Sequence, residues 1–76
     1  MKKDIFLKEL EDILQREESC HENDMLDSYE EWDSLSKMSV MAFFDRQFGL
    51  KISLDKIGAF QTVNDLILFA GDHIQS

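Results

Sequence analysis

Apolar residues recur at the spacing of one helix face in three stretches of the chain, and this pattern predicts three amphipathic helices. The first is expected over about residues 3–16 and the second from Ser34 to about Phe48. The last is expected to begin after Thr62 and to fray near Gly71. The positions that define the three faces are Ile5, Phe6, Leu10, Ile13 and Leu14; Leu35, Met38, Met41, Ala42 and Phe48; and Val63, Leu66, Ile67, Phe69 and Ala70.

Residues with capping preferences stand at the predicted helix ends. Asp33 is a natural N-cap, which makes Ser34 the first residue of the second helix, and Gly49 supplies a left-handed stop. Two more caps are Ser53, before a short helix over residues 54–57 that ends at Gly58, and Thr62, with Asp65 three residues on. The chain is therefore predicted to be all-α. We expect one domain over residues 1–76, a small four-helix bundle with a long first loop and a short third helix.

The predicted loop over residues 17–33 carries much of the negative charge of the chain. It holds eight of the sixteen acidic residues and no Lys or Arg. A loop of this length in a small domain is unusual and is often functional. We expect Met25, Leu26 and Trp32 to fix it to the core, with a short helical turn near Met25.

The composition predicts one compact domain and argues against several classes of protein. A chain of 76 residues with 43% hydrophobic residues can form one compact core despite a net charge of −8. The acidity argues against nucleic acid as a partner, and we expect a monomer. No stretch predicts a signal peptide or a membrane span. Cys20 has no second cysteine to pair with, so the expected location is the cytoplasm.

Ser34 is the candidate for covalent modification. A hydroxyl at the first position of a helix lies near unpaired backbone N–H groups and the positive end of the helix dipole, which suits a phosphate ester. The simpler interpretation is an ordinary serine beside the cap Asp33.

The position of Asp33-Ser34-Leu35, after a long acidic loop and at the start of an amphipathic helix, resembles the acyl carrier proteins. Two further segments are similar to the family's link into its third helix and the start of its fourth, Phe48-Gly49-Leu50-Lys51-Ile52 and Phe60-Gln61-Thr62-Val63. The resemblance covers essentially the whole chain and implies the acyl-carrier type of bundle.

The resemblance implies a carrier and not an enzyme. A phosphopantetheinyl transferase would use coenzyme A and Mg²⁺ to attach 4′-phosphopantetheine to Ser34. The thiol of this arm would hold an acyl or aminoacyl group as a thioester for loading and processing enzymes, raising its effective concentration there. Asp33 would cap the helix and present Ser34, and Leu35 would lie beside the arm. The residues indicate no metal site of the protein's own.

The resemblance also implies an interior that shelters an acyl chain and a surface that partners recognise. Trp32, Lys37, Met38 and Asp45 are the candidates for partner contacts. The interior candidates, which could equally be plain core, are Val40, Ala42, Phe44, Phe60 and Val63.

The chain departs from the common pattern of the family, since Asp45 is the one acidic residue of the second helix and Trp32 stands close to the serine. This departure favours a dedicated pathway with its own enzymes, although fatty-acid synthesis stays open. The alternative function is an unmodified, acidic, helical protein-interaction module.

Overall fold

The hydrophobic pattern folds into four α-helices joined by loops and two short 3₁₀ turns. The computed structural model describes residues 1–75. The helices are α1 (Lys3–Leu14), α2 (Ser34–Phe48), α3 (Leu54–Ala59) and α4 (Val63–Ala70), and the 3₁₀ turns cover Leu26–Ser28 and Gly71–His73. Over residues 1–75 the chain forms no β-strand, only isolated bridges. The all-α prediction is confirmed.

Most helix ends lie where the capping residues predict them. Asp33 and Thr62 accept hydrogen bonds from the third backbone N–H of their helices, and each forms a reciprocal capping box. Ser53 caps α3 in the same way through the N–H of Lys56. Gly49 ends α2 with a φ of 68°, a left-handed conformation that favours glycine. α3 continues one residue beyond the predicted stop at Gly58.

α1 ends two residues earlier than the sequence predicts. Gln15 adopts a left-handed conformation with a φ of 55°. Its N–H donates to the carbonyl of Asp12, and the N–H of Arg16 donates to that of Glu11. These bonds satisfy the last carbonyls of the helix, and the chain leaves the helix axis so that Arg16 turns towards the long loop.

The core lies between α1, α2 and α4 and is rich in aromatic rings. The ring of Phe44 on α2 is 5.9 Å from that of Phe6 on α1, 5.3 Å from that of Phe48 and 6.1 Å from that of Phe69 on α4. Phe6, Phe44 and Leu10 are almost completely buried. Such edge and tilted contacts fill space closely and add to the free energy of burial.

The long loop after α1 packs against the helices through several anchors. Leu26, Tyr29 and Trp32 are buried, and so is the free cysteine Cys20. Met25 is 48% exposed, so the expectation that it fixes the loop to the core is wrong. The backbone there is held by the N–H of the next residue, Leu26, which donates to the carbonyl of Gln61 at 2.8 Å. The predicted turn near Met25 is the 3₁₀ turn Leu26–Ser28.

The buried face of α2 is not the one that the apolar spacing predicts. Ser36, Val40, Phe43 and Phe44 are buried, whereas three residues of the predicted face, Leu35, Met38 and Ala42, are exposed. The reason is that Val40, Phe43 and Phe44 together bury more apolar surface than the exposed residues of the predicted stripe would. The helix therefore rotates towards them and takes Ser36 into the interior.

The chain ends meet beside α1. The N–H of Gln75 donates to the carbonyl of Met1, and the N–H of Lys3 donates back to the carbonyl of Gln75, each at 2.7 Å. Among residues 1–75, no helix combines the length and the apolar character needed to cross a membrane.

Candidate functional site

Ser34 occupies the first turn of α2, where the capping geometry is tightly defined. Its neighbour Asp33 is extended, and Oδ1 of that residue accepts a 2.9 Å hydrogen bond from the N–H of Ser36. In return, the hydroxyl of Ser36 accepts one from the N–H of Asp33 at 2.9 Å. The N–H of Ser36 is the main cause that lowers the pKa of the Asp33 carboxyl. The carboxylate is therefore ionised at neutral pH, beside the Ser34 hydroxyl.

The two serines of this turn differ in accessibility. Ser34 is exposed, whereas Ser36 is 8% exposed and its hydroxyl donates to the carbonyl of Asp33 at 3.0 Å. The hydroxyl of Ser34 is therefore accessible from solvent, while that of Ser36 is committed to the cap. The role of Ser36 was not predicted from the sequence, because a capping box is normally recognised by Glu or Gln at this position.

An apolar ridge follows Ser34 along the outer face of α2. Leu35 is 74% and Met38 is 56% exposed, and Ala42 is exposed one turn further on. We call these three residues the outer ridge. The expectation that Ala42 lines the interior is wrong, since its side chain is exposed and borders a surface depression beside Met41 and Ile52. Met38 lies where a partner could contact it.

The other interior candidates lie in or against the core. Val40, Phe44 and Val63 are fully buried, and Phe60 is half-buried with its ring 5.6 Å from that of Phe69. These side chains pack on one another and on the aromatic cluster. A guest chain would have to displace them, at a cost in packing energy.

The remaining surface candidates differ in what they offer a partner. Trp32 is only 9% exposed and packs into the core, so it offers little surface. Lys37 is half-buried, with its ammonium 5.8 Å from the centre of the Trp32 ring. Asp45 is exposed and pairs with Lys51 on the link after α2 at 3.2 Å. The position of Lys37 over Trp32 ties the segment before Ser34 to α2.

Arg16 organises the loop that leads into the site, a role that the sequence analysis missed. Its guanidinium lies 3.9 Å from the centre of the Tyr29 ring and pairs with Glu31 at 3.0 Å. The hydroxyl of Tyr29 donates to Asp24 at 2.6 Å. Burial, followed by this hydrogen bond, raises the pKa of Tyr29 far above its usual value. A planar guanidinium that stacks and pairs at once fixes residues 29–31, two residues before the cap.

An open groove of about 360 Å³ adjoins the first turn of α2. One wall is the end of α1 and the residue after it, and the other wall is the side of α2 that faces α1. The residues that line these walls are Ile13, Leu14, Gln15, Leu35, Ser36 and Ser39. Both chain neighbours of Ser34 border the groove, since Asp33 lies at its edge. No sequence signal indicates this groove, because it depends on where α1 ends.

Within residues 1–75, no three His, Cys, Asp or Glu side chains are grouped so that they could hold a metal ion. Compared with protein-family models, with curated protein sequences and with solved structures, the chain has no match.

Proposed function

We propose that this protein is an acyl carrier, in which Ser34 bears a 4′-phosphopantetheine arm that holds acyl or aminoacyl groups. The observation that carries the proposal is the exposed hydroxyl of Ser34 at the first position of α2, directly after the cap Asp33. The all-helical fold with a long first loop and a six-residue third helix is compatible with the acyl-carrier type of bundle. We propose that the protein acts in the cytoplasm, either in fatty-acid synthesis or in a specialised biosynthetic pathway.

The site suits a phosphate ester on Ser34. The hydroxyl points from the N-terminal turn of a helix, where the dipole favours negative charge. The carboxylate of Asp33 is nearby but already accepts the N–H of Ser36, so part of its charge is satisfied by the helix itself. An exposed ester there costs no buried surface, because Ser34 contributes nothing to the core.

In the proposed modification, the oxygen of Ser34 attacks the β-phosphorus of coenzyme A and forms a phosphoester bond. The phosphoanhydride bond of coenzyme A breaks, 3′,5′-ADP leaves with the electron pair, and the hydroxyl proton passes to a base of the transferase. Mg²⁺ brought by the transferase would stabilise the charge on the phosphates. The chain supplies the nucleophile and its position, which is why we propose a carrier and not a catalyst. When bound, the arm supplies a thiol that holds its cargo as a thioester.

Residues around Ser34 have distinct proposed roles. Asp33 holds the first turn of α2 so that Ser34 stays exposed, and Leu35 and Met38 on the outer ridge provide apolar contact for partner enzymes. Lys37 and Asp45, the charged candidates on the same helix, would set the orientation of a partner. Because Asp45 is the one acidic residue on α2, the proposal favours partners of a dedicated pathway that dock mainly on apolar surface.

We propose that the packed aromatic core leaves little room for an acyl chain in the interior. A long chain could enter only if Val40, Phe44, Phe60 and Val63 moved, and Phe44 packs against four other rings. Short acyl or aminoacyl cargo that stays outside the core is therefore favoured over a long sheltered chain.

The test is the intact mass of the protein after incubation with coenzyme A, Mg²⁺ and a broad-specificity phosphopantetheinyl transferase. We expect a gain of one phosphopantetheine, which Ser34→Ala abolishes. Ser39→Ala is the matched control, since Ser39 is an exposed serine on the same helix, and it should be modified like the wild type. No gain with several transferases would contradict the proposal.

The outer ridge supports a second candidate function, an unmodified protein-interaction module. Leu35 and Met38 are exposed apolar side chains on adjacent turns, and Leu54 on α3 is 60% exposed. An apolar surface of this kind is typical of a docking face whether or not Ser34 is modified. If Ser34 gains no arm and Leu35→Ser abolishes capture of a partner, this second function holds.

A further inference from the structure

Met38 is the member of the outer ridge that lies nearest to Ser34 in angle around α2. At about 1.5 Å and about 100° per residue, it lies about 6 Å along the helix axis and about 40° around it from Ser34. Residues four apart on a helix are neighbours on its surface. We propose that Met38 is a site of reversible oxidation to the sulfoxide, which hinders the docking of partner enzymes beside Ser34. This inference rests on the proposed carrier function.

The methionines of the chain differ in their accessibility to an oxidant. Met38 and Met25 are 56% and 48% exposed, whereas Met1 and Met41 are partly buried against the core. Met25 lies in the long loop, where its backbone pairs with that of Thr62, the cap of α4. A dissolved oxidant should therefore reach Met38 and Met25 first. Of these two, Met38 lies on the outer ridge and Met25 does not, so Met25 serves as an internal control.

The free cysteine is a weaker competitor for the oxidant. Cys20 is 3% exposed, and burial raises the pKa of its thiol. Oxidants attack the thiolate form, so a buried thiol with a raised pKa reacts slowly. A thioether has no proton to lose, and its reactivity follows its access to solvent. The exposed thioether of Met38 is therefore the sulfur beside Ser34 that an oxidant reaches.

The proposed oxidant is a hydroperoxide, and the reaction transfers one oxygen atom to the sulfur. A lone pair of the Met38 sulfur attacks the outer peroxide oxygen, so that an S–O bond forms and the O–O bond breaks. The proton of the transferred oxygen passes to the oxygen that leaves. The sulfur loses two electrons, and the peroxide is reduced to water or an alcohol. The reverse step needs a sulfoxide reductase and two thiols, which become a disulfide as water is released.

Oxidation changes the polarity of the outer ridge and leaves the core intact. Leu35 precedes Met38 by three residues and Ala42 follows it by four, so the thioether lies in the middle of this apolar surface. A partner that packs on the ridge would have to strip water from the sulfoxide oxygen without replacing the lost hydrogen bond, which is unfavourable. Met38 is not among the buried residues of α2. The oxidised protein is therefore expected to stay folded and to bind partners less well.

The test compares the rate of phosphopantetheine transfer to Ser34 before and after treatment with dilute hydrogen peroxide, which catalase removes before the transferase is added. Intact mass first establishes that the untreated protein is modified, and peptide mass spectrometry locates the added oxygen. We expect Met38 and Met25 to be oxidised before Met41, with an unchanged far-ultraviolet circular dichroism spectrum. Oxidation of Met38 should lower kcat/KM by about fivefold to tenfold. Methionine sulfoxide reductase with dithiothreitol should restore the rate, and dithiothreitol alone should not.

Two substitutions separate Met38 from the other methionines. Met38→Leu should keep its untreated rate after peroxide, because leucine has no sulfur, whereas Met25→Leu should lose rate as the wild type does. Each rate is divided by that of the same variant without peroxide, which removes any effect of the substitution itself. No loss in the wild type, or an equal loss in Met38→Leu, overturns this inference and leaves the carrier function intact. An untreated protein that is never modified overturns both.

Discussion

Asp33 and Ser36 exchange hydrogen bonds across the first turn of α2, each backbone N–H donating to the other's side chain at 2.9 Å. This reciprocal pair fixes the turn that presents Ser34. It also requires Ser36 to face inward, where it is 8% exposed. On this one turn, Ser36 therefore stabilises the fold, while Ser34 is presented to solvent. A substitution of Ser36 should lower stability, and one of Ser34 should not.

Ser36→Ala should destabilise the fold while Ser34→Ala should not. The first substitution removes the hydroxyl that accepts the N–H of Asp33 and donates to its carbonyl, and leaves that N–H only the carbonyl of Glu31. This loss costs about 1 kcal/mol. In a chain of this size that lowers Tm by about 4–8 °C. Ser34→Ala changes an exposed residue, so its effect should stay within about 0.5 kcal/mol. Thermal denaturation followed by far-ultraviolet circular dichroism measures both. An equal loss in the two variants would make Ser34 a structural residue.

Arg16→Ala should destabilise the loop that leads to the cap. The substitution removes the contact of the guanidinium with the Tyr29 ring and its ion pair with Glu31. Together these losses should lower the free energy of unfolding by about 1–2 kcal/mol. Arg16→Lys should recover only part of it, because an ammonium cannot stack and pair in the same plane. Arg46→Ala is the matched control at an exposed position. Urea denaturation gives the free energies, and amide hydrogen exchange over residues 29–33 should accelerate in Arg16→Ala alone.

The free energy of unfolding should fall as the pH drops below about 4, the usual range of aspartate pKa values. Hydrogen bonds lower the pKa of Asp24, through the Tyr29 hydroxyl, and of Asp65, through the N–H groups of Gln61 and Thr62. Since these pKa values are lower in the folded protein, the unfolded chain binds more protons in acid. The stabilisation is complete above the unfolded pKa and is lost as pH falls through the folded one.

Urea denaturation at a series of pH values from neutral to about 3 measures this dependence. Asp65→Asn should show a shallower loss in acid than the wild type, because it removes one of the linked groups. An unchanged slope in this variant would mean that the capping carboxylate of α4 contributes nothing to acid sensitivity.

The outer ridge should matter for modification and not for folding. Leu35→Ala and Met38→Ala change exposed side chains, so each should alter stability by less than about 0.5 kcal/mol. If the transferase packs on the ridge, each should lower kcat/KM for phosphopantetheine transfer by about fivefold to tenfold, or about 1–1.4 kcal/mol. Gln47→Ala, exposed on α2 but outside the ridge, should leave the rate unchanged. Equal rates for all three variants would exclude the ridge as the transferase contact.

Helix ends were predicted correctly where a capping side chain hydrogen-bonds to the backbone of its own helix. Asp33, Ser53 and Thr62 each cap the helix that the sequence assigns to them, and Gly49 ends α2. The end of α1 was less predictable, because the left-handed turn at Gln15 is accompanied by contacts of Arg16 with Tyr29 and Glu31, thirteen and fifteen residues away. The sequence pattern near the end of α1 does not indicate which distant residues Arg16 will contact.

The sequence by itself determined the helical class, the positions of the four helices and the exposed place of Ser34, because these follow from hydrogen bonds and apolar spacing within a few residues. Tertiary structure decided which face of α2 is buried. Val40, Phe43 and Phe44 outweigh Leu35 and Met38, since close packing against Phe6 on α1 and Phe69 on α4 depends on rings brought together from distant parts of the chain. The same rotation of α2 forms the outer ridge and sets one wall of the groove beside Ser34.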